Sequence, residues 1–224
     1  MTLTVYTAIF QNSDEQLYLK TPTVVNPSIR YVCLTDTNVA SDVWDVRRVV
    51  VTERSPRRMA RRCKVLFHKY LEPCDASLWV DSRFRLTSDA LSLWNSVSHE
   101  NCDIWALVHP DRSNLRDEAD TIIQLGKDDK HTVDAQLARY GEQCFGPQLP
   151  ALTSTGFLLR RHSWRTRWMS ELWWDEISNG SHRDQLSIDY AACKSLMEIR
   201  YLQGHYRDNP YALWSKKRGA VDNG

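Results

Sequence analysis

Apolar residues arrive in short unbroken runs, and each run stops at a polar turn. Residues 3–10 (LTVYTAIF) are apolar on both alternating faces, which suits a central parallel strand. Residues 29–34 (IRYVCL) and 44–51 (WDVRRVVV) predict a second and a third strand. Leu78, Trp79 and Val80 make a fourth run that ends at Asp81, with Ser82 and Arg83 behind it. Residues 103–108 and 157–159 predict two more strands. The latter follows a small-residue turn, Thr153-Ser154-Thr155-Gly156, and ends in Arg160-Arg161-His162. Residues 199–202 predict the last strand.

Between these runs the period lengthens to that of a helix. Over residues 56–71, Met59, Cys63, Leu66 and Tyr70 fall on one line. Ser55 stands at the N-cap and Pro56 at the first helical position. Further helices are predicted over 89–97, 115–125, 132–140, 164–177 and 186–197. The helix at 164–177 is rich in Trp, and most of that Trp is expected in the core. Alternating strands and helices predict a single α/β domain over residues 1–214 with a mostly parallel sheet. Residues 215–224 read as a disordered tail.

Composition narrows the classes of function. The 224 residues carry a net charge of +1, so no global field argues for nucleic acid as a partner, except as an acceptor that is modified. No stretch approaches the ~20 apolar residues of a membrane helix, so no membrane insertion is expected. Residues 1–10 lack a basic n-region. The six Cys, at 33, 63, 74, 102, 144 and 193, form no Cys-x-x-Cys pair. Both features predict a reduced, cytoplasmic protein.

Three constellations carry candidate chemistry. Asp81 stands at the carboxyl end of a central strand, where open α/β sheets bind ligands. It suits a hard cation or a sugar hydroxyl, and equally a cap for the following turn. Arg57, Arg61, Lys64 and His68 share one helix face with no Glu interleaved, which fits a diphosphate clamp or a solvated face. Asp184 and Gln185 open a helix, where an acidic residue also suits the macrodipole. His109 and Arg112 end another predicted strand.

Read together, the motifs resemble the TOD/MUCI70-like glycosyltransferase family. They are Val5-Tyr6-Thr7-Ala8-Ile9-Phe10, Arg30-Tyr31-Val32-Cys33-Leu34-Thr35-Asp36, the helix from Arg57 to His68, and Leu78-Trp79-Val80-Asp81. His109-Pro110-x-Arg112, Glu118-Ala119, Gly126-Lys127, Thr155-Gly156 with Arg160-x-His162, Trp173-Trp174 and Ser181-x-Arg183-Asp184-Gln185-Leu186-Ser187 follow in order. The resemblance implies a GT-A, Rossmann-like fold and transfer of a sugar from a nucleotide-diphosphate donor, UDP-sugar favoured. The acceptor would be a glycan or another hydroxyl, in polysaccharide biosynthesis.

By the same resemblance, Asp81-Ser82-Arg83 occupies the Asp-x-Asp motif, with Arg83 in place of the second Asp. Arg83 can bring positive charge to the diphosphate. Alternatively, Asp81 holds Mn²⁺ or Mg²⁺ together with His205. Thr7, Ala8 and Asp36 are expected near the nucleoside. Arg57, Arg61, Lys64, Ser82, His109, Arg112, Lys127, Thr155 and Gly156 are expected around the donor. Asp184 and Gln185 match the Asp-Gln pair of related retaining enzymes, which makes retention the stereochemical expectation. Gln11 departs from the Gly expected in the first loop. A catalytically lapsed GT-A domain that binds nucleotide or glycan is the alternative. A hydrolase ranks below both, because no Gly-x-Ser-x-Gly or His-Glu-x-x-His is present.

Overall fold

The computed structural model describes residues 1–10, 19–143 and 151–215. Gln11, Cys144, the loop expected at 146–150 and most of the tail lie outside them. Seven strands form one sheet in the order β3-β2-β1-β4-β7-β6-β8. The continuous apolar runs become its centre. β1 (Leu3–Ile9) is buried along its whole length and pairs in parallel with β2 (Arg30–Thr35) and β4 (Ala76–Val80). β3 (Asp45–Arg48) is shorter than its apolar run suggests, because it is an exposed edge. β6 (Ile104–Val108) pairs in parallel with β8 (Ile199–His205).

One strand runs against the rest. β7 (Thr153–Arg161) is antiparallel to both β4 and β6. The small-residue segment expected as a turn is therefore its first half. Its register on β6 jumps from Leu158 opposite Ala106 to Ser154 opposite Leu107, leaving residues 155–157 without a β6 partner. Such a bulge re-aims side chains at a sheet edge. Here it places Thr155 and Gly156 beside the end of β4, where Asp81 N–H donates to the Gly156 carbonyl at 2.9 Å.

Helices cover both faces. α1 (Pro56–Val65) starts as expected, with the Ser55 hydroxyl accepting from Arg58 N–H and Pro56 in the first turn. It ends early and continues as a 3-10 turn over Phe67–Lys69. α5 (Trp164–Asn179) and α6 (Ile188–Lys194) pack with α1 over one core, which includes Met59, Cys63, Trp79, Trp173 and Ile188. α2 (Ala90–Val97), capped by Asp89, covers the opposite core. α3 (Leu115–Gln124) and α4 (Lys130–Gln143) form a satellite cluster with Leu152, Leu186 and Tyr190. On α5, Trp173 is buried, but Trp164 and Trp168 are 72% and 44% exposed, against the expectation of a Trp core. A helix with apolar residues all round does not announce which stripe will face the sheet.

A second, two-stranded sheet joins β5 (Phe84–Leu86) to β9 (Ala212–Trp214). It fastens the turn after Asp81 from behind. Ser215 N–H and Lys20 Nζ both donate to the Arg83 carbonyl, at 3.1 and 3.3 Å.

A cationic cleft at the carboxyl edge of the sheet

The ends of β1, β4 and the bulged start of β7 open into a cleft of about 710 Å³. Lys64 organises its floor. Its carbonyl, left free at the end of α1, accepts from the Tyr6 hydroxyl (2.8 Å) and Arg160 Nη2 (2.9 Å). That anchors the last turn and holds the ammonium group inside the cleft wall, with the residue 4% exposed. Lys64 Nζ lies 2.7 Å from Asp184 Oδ2, 3.2 Å from Asp81 Oδ1 and 3.5 Å from Thr155 Oγ1.

Asp184 is the centre of this arrangement. It sits on a 3-10 turn, Asp184–Leu186, and the N-cap of α6 is Ser187 rather than Asp184. Oδ2 accepts from Lys64 and from Thr155 Oγ1 (2.8 Å), and Oδ1 accepts from Arg61 Nε (3.0 Å). Burial works to raise its pKa, but Lys64, Arg61 and Arg183 overcome it and hold the carboxyl well below the usual range. The group is a committed anion with both oxygens engaged.

The remaining wall is rich in cations. Arg57, Arg61, Lys64, Arg83, Arg112, Lys127 and Arg183 line the cleft, against the carboxylates Asp81, Glu118 and Asp184. Arg183 has its Nε buried without a hydrogen-bond partner among the described residues. Burial, then Arg61, work against its charge. Burial, then Arg183, do the same to Lys127. Arg112 faces both Glu118 and His109: its Nε contacts a Glu118 oxygen, and its Nη2 lies 2.6 Å from His109 Nε2. Burial, followed by Arg112, pushes the His109 pKa down to about 4, so the ring is neutral at pH 7.

Most of the expected site residues converge here: Ala8, Arg57, Arg61, Lys64, Asp81, Ser82, Arg83, His109, Arg112, Lys127, Thr155, Gly156, Asp184 and Gln185 all line the cleft. Several do not. Thr7 is buried in β1, with Oγ1 unpartnered among the described residues, and Asp36 is not a lining residue. His68 leaves the cationic stripe, because the switch to a 3-10 turn rotates it onto Glu171, 2.9 Å away. His205 is also outside the lining, and its Nδ1 accepts from Arg207 N–H at 3.2 Å. His182, Arg183 and Glu118 are lining residues that sequence reasoning assigned no role. For Arg183 the signal was present, since it lies inside the Ser181-to-Ser187 run.

At Asp81, one of the two carboxylate oxygens is already taken. Trp79 Nε1 donates to Oδ1 at 2.7 Å, and the Lys64 ammonium already stands at the same oxygen. Among the described residues no three His, Cys, Asp or Glu side chains converge. Hard-cation sites need several oxygen ligands, and the turn at Asp81 supplies one open carboxylate oxygen.

Comparison with known proteins bears on the fold. Mouse xyloside xylosyltransferase 1 superposes with a TM-score of 0.52 over 90% of this chain and 84% of its own, at 8% identity. The galactosyltransferase LgtC, solved with donor and acceptor sugar analogues, gives 0.46 over 89% and 73%, at 13% identity. The mostly parallel seven-stranded sheet with its reversed β7 has the GT-A glycosyltransferase fold. Within it, the chain belongs to the family described as "TOD1/MUCI70, glycosyltransferase-like domain", whose profile matches residues 1–204. The probable hexosyltransferase MUCI70 of Arabidopsis thaliana is 26% identical over 165 residues. That alignment takes in 68% of this chain and 28% of the plant protein.

Proposed function

We propose that this domain transfers a hexosyl group from a nucleotide-diphosphate donor, with UDP as the favoured nucleotide, to a hydroxyl of a glycan or similar acceptor. The observation that carries this reading is the surplus of buried and half-buried cations over carboxylates around Asp81 and Asp184. Positive charge held in a half-buried wall without matching anions is costly, and a bound diphosphate supplies the match. As the anomeric bond breaks, the leaving diphosphate gains charge, and preorganised Lys and Arg groups stabilise it. Lys64, Arg61, Arg83 and Arg183 are the groups in this role.

Asp184 acts here as the anion that fixes Lys64 and Arg61, not as a nucleophile, since neither oxygen is open. Retention then runs by attack on the same face as the departing phosphate, with no covalent relay through Asp184. A lapsed, binding-only domain is the second reading, favoured by Arg83 at the third position of the acidic turn. Calorimetry with UDP, GDP, CDP and dTDP, each with Mn²⁺ and with EDTA, and a parallel assay of UDP release from UDP-hexoses test the proposal. Expected is tight UDP binding that survives EDTA, with turnover. Binding without turnover would leave the lapsed domain standing, and no nucleotide binding would sink the transferase reading and leave only a lapsed domain that binds glycan.

A further inference from the structure

In a wall made almost wholly of hydrogen-bond donors, one neutral ring offers a lone pair. His182 follows α5 and lines the cleft with its side chain one-third exposed. Its Nδ1 lies 2.7 Å from Asp128 Oδ2, which also accepts from Ser181 Oγ (2.6 Å) and His182 N–H (2.9 Å). Asp128 is held ionised: burial opposes this, but Ser181, the Asp129 N–H and His182 prevail. An ionised carboxylate takes the imidazole proton on Nδ1, which leaves Nε2 bare. Nε2 makes no hydrogen bond among the described residues. The charged groups that face the ring are Asp128, Arg61 and Arg183. Burial, with the two guanidiniums, disfavours the imidazolium despite Asp128.

Three of the other acceptors in the cleft are filled, while Asp81 Oδ2 accepts no hydrogen bond among the described residues. Asp184 has both oxygens engaged, and Glu118 is 2% exposed against Arg112. His109 Nδ1 accepts from the N–H groups of Asp111 and Arg112, both at 3.1 Å. A diphosphate has no proton to give Nε2 at neutral pH, whereas a sugar hydroxyl has. Resting on the transferase reading above, we propose that His182 Nε2 accepts the hydrogen bond of the attacking acceptor hydroxyl and orients it, with Asp128 as the positioning residue that sets the tautomer.

Two variants separate this from a structural role. His182→Asn keeps an N–H toward Asp128 but removes the acceptor at Nε2. His182→Gln places an amide oxygen near the Nε2 position. With UDP-hexose as donor and a panel of methyl glycosides as acceptors, His182→Asn is expected to bind UDP within about twofold of the native protein. Its transfer falls about 10- to 100-fold, the scale of one hydrogen bond made to a reacting group. His182→Gln recovers part of that loss. Native turnover drops on the acid side as His182 protonates, below its ordinary value of 6.5, and this limb is absent in His182→Gln. Imidazole ¹⁵N NMR should show Nδ1 protonated in the native protein and not in Asp128→Ala, which removes its acceptor. Unchanged transfer in His182→Asn, or an acid limb that persists in His182→Gln, overturns the proposal. A native protein that binds no nucleotide fails the transferase reading first, and this inference falls with it.

Discussion

Among the buried carboxylates that meet arginine, Glu176 and Asp184 meet it differently. Glu176, on α5, is matched by one guanidinium. Arg139 donates to both of its oxygens at 2.7 Å, and the Tyr140 hydroxyl completes the set at 2.7 Å. Its charges balance and its donors are spent. Asp184 is engaged by Lys64 and Arg61 with Arg183 nearby, and the wall around it carries further cations, Arg57 and Arg83, that no carboxylate pairs among the described residues. A balanced pair holds α4 against α5; an unbalanced one leaves binding energy for an anion that arrives later. The mere presence of a buried ion pair says little about function. Its residual charge says more.

That contrast can be broken by mutation. Asp184→Ala should cost about 3–5 kcal/mol of stability, because it strands two nearly buried cations. It should also weaken UDP binding, since Lys64 and Arg61 lose their anchor. Chemical denaturation and calorimetry on one preparation check both, and native-like UDP affinity would refute the organising role. Glu176→Ala should cost less, about 1–3 kcal/mol, because Arg139 is 38% exposed and can be rehydrated. Its UDP affinity should not move.

Acid should act first on a histidine rather than on these carboxylates. Both carboxyls are held below their ordinary values, so their contribution is complete above pH ~4 and is lost only as pH falls further. His162 is the opposite case. Burial, then Arg160, lower its pKa to about 3, so the unfolded chain binds its proton first and stability declines as pH falls below about 6.5. Up to about 2 kcal/mol should be gone by pH 5, and His162→Gln should flatten that slope in urea titrations. Gly156→Ala should cost about 1–2 kcal/mol. The added carbon would lie 2.9 Å from Phe84 Cε2 and 3.2 Å from Asp81 Oδ2. Asp81 would be displaced, so UDP binding should suffer more than stability. Smallest in stability is Arg83→Ala, within about 0.5 kcal/mol of native, while UDP binding weakens and loses part of its salt dependence.

Much of this was legible before any coordinates. Uninterrupted apolar runs marked the central strands, and the Ser55-Pro56 pair marked the start of α1. The Asp81 turn and the Arg57-to-Lys64 stripe marked part of the cleft wall. What was hidden was non-local. Nothing near residue 84 announces that it pairs with residue 214, because cross-strand choice is made by packing. The Thr153-to-Gly156 segment reads as a turn from its small residues, yet β4 and β6 on either side draw it into the sheet. His68 fell out of its stripe because α1 tightens at its end. His182 carries no signal at all until Asp128, far along the chain, is seen to hold it.

The β5–β9 ribbon sets an order of events during synthesis. Ser215 and Arg83, 132 residues apart, meet behind the acidic turn. A nascent chain can lay down β1, β2, β4 and α1 early, yet the turn after Asp81 has no backing until residues 212–215 have cleared the ribosome. The cleft would be the last part of the domain to mature, so a chain stalled short of that point would carry a nearly finished sheet with an unbraced cleft.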